Sequence, residues 1–186
     1  MQRPWLSRRR LLQGVGGLGA AAALRPRVGA AEARVLRVRA SADLQVLDPA
    51  HRKGQPEGDI LRCLFPRLIE YRTGDAWGWR LGAAAAIEQD GPTRVRFTLR
   101  PGILFTGGFG EMTANDVKFS YERIADLGQA SEYRDDFAAL ARVEVLDRYR
   151  GVIVLKEPFA PLWTSTLPSA SGCILSRRAV EQAGGR

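Results

Sequence analysis

The chain has 186 residues, which is enough for one domain with its own core. Its hydrophobic fraction of 45% and charged fraction of 26% are ordinary for a globular protein. The net charge of +8 is concentrated at the N-terminus, where residues 1–33 hold six arginines and one acid. The remainder has no lysine-rich run and no basic stripe interleaved with aromatic residues, which argues against a nucleic-acid partner.

The N-terminal segment has the order of an export signal. Arg8 and Arg9, within Ser-Arg-Arg-Arg-Leu-Leu-Gln, resemble a twin-arginine motif, and an apolar stretch follows over Leu11–Leu24. That stretch is shorter than the roughly 20 residues that span a bilayer. We therefore predict a signal peptide over residues 1–33 and one domain over 34–186; an uncleaved N-terminal anchor is the alternative.

Small residues at the end of this segment offer two cleavage sites, after Ala30 or after Ala33. Neither Cys63 nor Cys173 lies there, so a lipid-anchored cysteine is not expected, and the mature protein is predicted to be periplasmic. An oxidising compartment permits a Cys63–Cys173 disulfide. The apolar neighbours of both cysteines favour two buried thiols instead.

The first predicted elements after the signal are a strand over Val35–Ala40 and a turn over Leu47–Ala50. A helix is predicted over Glu57–Tyr71, and Pro66 is expected to kink or end it. Further on, Asp90-Gly91 predicts a tight turn into the next strand.

The segment from 95 to 124 has the clearest pattern. Val95, Phe97 and Leu99 alternate with polar residues, which is typical of a half-buried strand, and Pro101-Gly102 ends it. A glycine-rich loop separates this strand from a predicted helix, whose start and buried face are marked by these residues: Thr113 and Asp116 as a capping box, then Val117, Tyr121 and Ile124. Phe119 lies off that face, so the helix is expected to be covered on more than one side.

Two more strands, Arg142–Leu146 and Val152–Leu155, are predicted to form a hairpin. A short helix is predicted near Leu162, before Leu167-Pro168-Ser169, and Ser176 is predicted to cap a last helix.

Catalytic chemistry finds little support in the sequence. His51 is the single histidine, and the two cysteines are far apart, so no zinc or other cofactor site is expected. Asp135 and Asp136 diverge if they are helical, and we interpret them as a solvated helix start. Glu111 has no visible partner. The chain is therefore predicted not to be an enzyme, although an exported enzyme or redox protein remains an alternative.

The order of these elements resembles one family. The strand Phe-Thr-Leu-Arg-Pro-Gly-Ile-Leu-Phe, a glycine loop and then Thr-Ala-Asn-Asp-Val-Lys-Phe-Ser-Tyr-Glu-Arg-Ile are similar to extracellular solute-binding protein family 5, the oligopeptide-, dipeptide- and nickel-binding proteins of ABC importers. The resemblance runs from Val35 to the C-terminus. It implies an α/β fold of the periplasmic binding protein type II, here a partial N-terminal lobe with a small, mostly antiparallel sheet flanked by helices and without the second lobe.

The resemblance also implies a function and a set of contacts. The chain would be the substrate-binding component of an ABC importer, a monomer that captures a peptide or similar small solute and delivers it to a membrane permease. Family ligand contacts correspond to Ser41, Ala42, Asp59, Tyr133 and Ser169. Alternatives are that Tyr133 packs on Phe137, that Ser169 is a turn residue and that Ser41 starts a loop; the ligand-sensing module of a signalling receptor is another possible function.

One lobe alone cannot close on a ligand. The chain by itself is therefore expected to bind weakly or not at all.

Overall fold

The computed structural model describes residues 36–74 and 77–184, and from Ala40 onward they form one folded unit. The predicted signal peptide, with Arg8 and Arg9, lies outside the described residues. In chain order the helices and strands are α1 (Gln55–Leu64), β1 (Ile69–Tyr71), β2 (Trp79–Leu81), β3 (Ala84–Gln89), β4 (Arg94–Leu99), β5 (Leu104–Phe105), β6 (Gly110–Glu111), α2 (Ala114–Ala125), β7 (Leu140–Val145), β8 (Arg150–Leu155) and α3 (Arg177–Gln182).

The sheets are small and their pairings are antiparallel. The central sheet has four strands in the order β3-β4-β8-β7, and β1-β2 and β5-β6 form two-stranded sheets. Helix α2 packs against β7 on one side of the central sheet. The α/β class with a mostly antiparallel sheet flanked by helices is confirmed.

Strand β4 forms as its alternation predicts. Val95, Phe97 and Leu99 are at most 1% exposed, and Arg96 points to solvent between them. The turn at Asp90-Gly91 is confirmed: Gly91 has a φ of +91°, a left-handed conformation that glycine adopts without strain.

Gly151 sits opposite Phe97 in the β4–β8 pairing. A Cβ at position 151 would stand 2.5 Å from Cζ of Phe97 and 2.8 Å from the carbonyl oxygen of Glu144. The missing side chain therefore makes room for the aromatic ring, which fills the core beside the strand.

Helix α2 begins with the predicted capping box. The backbone N–H of Thr113 donates to Oδ2 of Asp116 at 2.8 Å, which satisfies a backbone group at the start of the helix. Val117, Tyr121 and Ile124 are buried, and Phe119 is half-buried, as expected for a helix covered on more than one side.

Helix α1 is shorter than predicted. It ends at Leu64, and Phe65, the residue before Pro66, is extended with φ −116° and ψ 138°. This is the conformation that a following proline favours. The expectation that Pro66 kinks or ends the helix is confirmed. The continuation of the helix to Tyr71 is wrong, because residues 69–71 form β1 and pair with β2.

The strand predicted over Val35–Ala40 is also wrong where the structure describes it. Residues 36–40 adopt neither helix nor strand, and Leu36 and Val38 are largely exposed. Alternation alone does not make a strand, because a strand also needs a neighbour that supplies hydrogen-bond partners.

The remaining elements follow their predictions. The β7–β8 hairpin forms, Leu162–Thr166 is a turn of π-helix, and the Ser176 side chain accepts from the N–H of Ala179 at the start of α3. Among the residues that the structure describes, no helix combines the length and apolar character needed to cross a membrane.

Candidate functional site

A buried arginine, Arg52, organises the candidate site. This residue directly follows the turn in which the His51 N–H donates to the Asp48 carbonyl at 3.1 Å. The residue is 8% exposed, and its guanidinium carbon lies 3.2 Å from the ring centroid of Tyr133. A guanidinium stacked at this distance on an aromatic face gains cation–π attraction and is held in one orientation.

The polar partners of Arg52 come from three segments. Nη1 donates to the carbonyl of Pro49 at 2.9 Å, and Nη2 donates to Oγ of Ser171 at 3.2 Å. The Ser171 hydroxyl in turn donates to the Asp136 carboxylate, which lies 3.8 Å from Nη2 of Arg52. We call Arg52, Tyr133, Asp136 and Ser171 the Arg52 cluster.

Local structure places the cluster members. Tyr133 directly precedes a short 3-10 helix over Arg134–Phe137 that contains Asp136, and Ser171 lies in another over Ala170–Gly172. A Cβ at Gly172 would stand 2.1 Å from the carbonyl oxygen of Leu167, so this close backbone approach requires glycine.

The charge of Arg52 persists despite burial. Burial lowers the pKa of the Arg52 guanidinium from its usual value, while Tyr133 and Asp136 oppose that shift. Because an arginine begins far above neutrality, it stays cationic here. The Arg52 guanidinium therefore keeps its positive charge beneath the surface, next to the Asp136 carboxylate.

A small pocket opens beside the cluster. Its volume is about 180 Å³, and Arg52 and Arg62 stand in its wall; the other lining residues are Gln55, Gly58, Tyr71, Ser169 and Ala170. We call it the Arg52–Arg62 pocket. A second, more open pocket of about 510 Å³ shares Arg62 and Tyr71 with it.

Three of the five predicted contact residues lie in this region. Tyr133 belongs to the Arg52 cluster, Ser169 lines the Arg52–Arg62 pocket, and Asp59 lines the adjoining pocket. Asp59 is exposed and accepts hydrogen bonds from Gln55 and Arg62.

Each of these residues also has a structural role. Tyr133 packs with part of its surface on the core cluster that contains Phe137. The Ser169 side chain accepts from the N–H of Ser171 and donates to the Thr166 carbonyl, as a turn residue does.

Ser41 and Ala42 are not brought to these pockets. Both are exposed in a bend, and neither is a lining residue of the two pockets. They stay predicted contacts.

Sequence reasoning missed Arg52, Arg62 and Ser171, and it misjudged Asp136. The interpretation of Asp135 and Asp136 as a solvated helix start is wrong for Asp136, which is half-buried and joins the Arg52 cluster. The two residues diverge as predicted, and Asp135 is the exposed one. A signal was available in Arg52, which follows the predicted turn, but the other members of the Arg52 cluster are more than 80 residues away.

Glu111 was likewise predicted without a partner, and this is wrong. It accepts from Arg148 at 2.7 Å and from the Tyr149 hydroxyl at 3.0 Å, and it accepts from the N–H of Gly102. These contacts lower the pKa of its carboxyl, the Gly102 bond most strongly, and they fix the β5–β6 hairpin.

The two cysteines differ in environment. Cys173 is fully buried, and burial raises the pKa of its thiol, whereas Cys63 is exposed on α1. Both are free thiols, so the prediction of two buried thiols is wrong for Cys63 and the alternative disulfide is not formed. Over residues 36–74 and 77–184, no group of three His, Cys, Asp or Glu side chains is placed to hold a metal ion.

An apolar groove of about 490 Å³ lies elsewhere, with Leu64, Phe65, Ile103 and Val180 among its lining residues. The predicted contact residues do not line it.

Comparison with known proteins places this geometry in context. Residues 80–181 match the model of the bacterial extracellular solute-binding proteins, family 5 Middle. The chain is 29% identical over 153 residues to the probable D,D-dipeptide-binding periplasmic protein DdpA of Escherichia coli K12, a match that covers 78% of this chain and 29% of that protein.

Solved structures show the same fold. The binding protein MoaA of A. tumefaciens R10, in complex with mannopinic acid, matches with a TM-score of 0.70 and 25% identity over 76% of this chain and 29% of that one. OppA of Burkholderia pseudomallei matches with a TM-score of 0.67 and 23% identity over 77% of this chain and 30% of that one. The chain thus spans less than a third of the length of these relatives.

Proposed function

Because the chain belongs to the bacterial extracellular solute-binding proteins of family 5, we propose that it acts as the substrate-binding component of an ABC-type importer. It would capture a peptide or similar small solute in the periplasm and deliver it to a membrane permease. The family match over residues 80–181 is the observation that carries this proposal.

The relatives support a small polar ligand. DdpA is named for D,D-dipeptides, and MoaA was solved with mannopinic acid, so a peptide or an amino-acid-like acid is the class of solute that we favour. On this chain the proposed contacts are Ser41, Ala42, Asp59, Tyr133 and Ser169.

The proposed mechanism needs more polypeptide than this chain contains. In the longer relatives, further residues are available to contact the other side of a ligand. A ligand that touches both sides only in a closed state shifts the population toward closure. The lobe described here would supply one wall of that site, and it would act as a monomer.

Export is a separate part of the proposal. Arg8 and Arg9 would direct residues 1–33 to the twin-arginine machinery, with cleavage after Ala30 or Ala33 and no lipid anchor. Replacing both by lysine is expected to leave the uncleaved precursor in the cytoplasm, measured by cell fractionation and immunoblotting. The matched control is Arg3→Lys, which keeps the pair intact; equal periplasmic amounts of all forms would refute the twin-arginine route.

Uptake in cells tests the importer function. A strain in which the gene is deleted is expected to lose uptake of at least one labelled solute from a panel of L,L-dipeptides, D,D-dipeptides and acidic amino-acid conjugates. The intact gene, reintroduced, is expected to restore uptake. Unchanged uptake of the whole panel in the deletion strain would overturn the proposal.

A further inference from the structure

Two arginines and no acidic residue line the Arg52–Arg62 pocket among the residues that the structure describes. Its wall contains two guanidinium groups, and the remaining polar lining groups are the side chains of Gln55, Tyr71 and Ser169. A volume of about 180 Å³ suits a small functional group rather than a whole peptide.

Two acids pair with these arginines from outside the pocket wall. Asp136 accepts the Ser171 hydroxyl and lies 3.8 Å from Nη2 of Arg52. Asp59 accepts from Gln55 at 2.8 Å and pairs with Arg62 on the exposed side of α1. Arg52 is therefore held by its contacts outside the pocket, while Arg62, with a side chain 33% exposed, lies in the pocket wall and pairs with Asp59.

We propose that the Arg52–Arg62 pocket binds a carboxylate group of the ligand, an inference that rests on the proposed solute-binding function. A guanidinium presents paired N–H donors that match the two oxygens of a carboxylate. Arg52 is held in place by Tyr133 and does not first have to be ordered, and each Nη keeps a second N–H beyond the one donated to Pro49 or Ser171. Arg62 would exchange its contact with Asp59 for the ligand oxygen.

A matched pair of probes tests the inference on the purified chain. N-acetylglycine carries a carboxylate, and N-acetylglycinamide has the same shape without the charge. Each is titrated at constant ionic strength while the arginine Nε–H resonances are followed by NMR. The acid is expected to shift the Arg52 and Arg62 resonances with a dissociation constant on the order of 10 mM, and the amide is expected to give no saturable shift.

Two variants make the test specific. Arg62→Gln is expected to weaken binding of the acid at least about fivefold, since a charge-assisted contact is lost. Arg177→Gln is the matched control, because Arg177 is also an exposed helical arginine paired with an acid, Glu181, and it lies outside the pocket. It is expected to leave the titration unchanged. Arg62 is partly exposed, so its variant is expected to fold.

Three outcomes would overturn the inference: equal responses to acid and amide, an unchanged titration in Arg62→Gln, or no saturable shift with the acid. Loss of solute uptake in the deletion strain together with any of these would leave the importer function standing and remove the carboxylate pocket alone. Saturable acid binding together with unchanged uptake would refute the importer function and leave the pocket as a carboxylate site.

Discussion

Arg123 of helix α2 binds both carboxylate oxygens of Asp48. Nη1 donates to Oδ1 at 2.9 Å and Nη2 donates to Oδ2 at 2.7 Å, and the Arg123 side chain is 4% exposed. This two-point contact fastens the turn that precedes Arg52 to the core helix. The candidate site therefore depends on an ion pair that lies outside it.

Replacing Arg123 by lysine keeps the charge and loses the paired geometry. We expect Arg123→Lys to lower the free energy of unfolding by about 2 kcal/mol, because lysine cannot make both of the buried contacts to the Asp48 carboxylate. Urea denaturation measures this loss. The control is Arg150→Lys, whose partner Asp147 is exposed, and it is expected to change stability by less than about 0.5 kcal/mol. Equal losses in both variants would contradict the structural role of the Asp48 pair.

Asp48 also makes stability depend on pH. Burial by itself raises the pKa of its carboxyl, but hydrogen bonds from Arg123 and from the Ala50 N–H outweigh burial and hold the pKa below its usual value. A carboxyl with a depressed folded-state pKa contributes stability above its unfolded-state pKa, and that contribution is lost as the pH falls through the folded-state value. We expect the stability difference between the native chain and Asp48→Asn to be constant near neutrality and to shrink below about pH 4.

Urea midpoints measured for both forms between neutral and acidic pH check this expectation. Other carboxylates titrate equally in the two forms, so they cancel in the difference. A difference that stays constant down to the acid transition would show that Asp48 is not the titrating group.

Because Gly151 lies against Phe97, adding one methyl group at position 151 is expected to lower the stability of the fold. Gly151→Ala places a Cβ 2.5 Å from the Phe97 ring, so the strands must shift, and we expect a loss of about 2 kcal/mol. In Gly78→Ala the new Cβ meets only Cδ of Arg72 at 3.5 Å, an ordinary contact, and little change is expected. Thermal unfolding compares the two; similar midpoints would refute the close packing.

Because Arg52 stacks on the ring of Tyr133, we expect this ring to contribute more to stability than the Tyr133 hydroxyl does. Tyr133→Leu removes the aromatic face beneath Arg52 and is expected to cost about 1 kcal/mol, whereas Tyr133→Phe keeps the face and is expected to cost little. Urea denaturation distinguishes them. If both variants were equally destabilised, the hydroxyl and not the stack would be the important group.

The two thiols are expected to react at very different rates. Cys63 is exposed and Cys173 is fully buried, so a maleimide should modify one thiol per native chain and two after unfolding. Mass spectrometry counts the additions. Cys63→Ser should abolish labelling of the native chain, and rapid labelling of that variant would show that Cys173 is accessible.

Local patterns in the sequence predicted the elements that depend on local physics. The alternation of Val95, Phe97 and Leu99 and the capping box of Thr113 and Asp116 each act within a few residues, and each formed as expected. The strand predicted over Val35–Ala40 does not form over residues 36–40, because a strand must pair with a second segment. Helix α1 was predicted to end too late, because Pro66 has a stronger effect than the apolar spacing after it.

The candidate site was harder to predict because its parts are distant in the chain. Tyr133 and Ser169 were identified through the family resemblance, but Arg52 meets Ser171 across 119 positions. No spacing rule connects residues so far apart. The same reason explains Asp136, whose partner Ser171 lies 35 positions away in the chain.

The order β3-β4-β8-β7 has a consequence for how the chain folds. The β3–β4 and β7–β8 hairpins close through short turns, whereas the β4–β8 pairing must enclose the whole segment that contains α2. Longer loops cost more entropy to close, and pairings between distant segments slow folding. The two hairpins would then form early and meet late, so that the middle of the sheet, not its edges, would be the last part to gain protection from amide exchange during refolding.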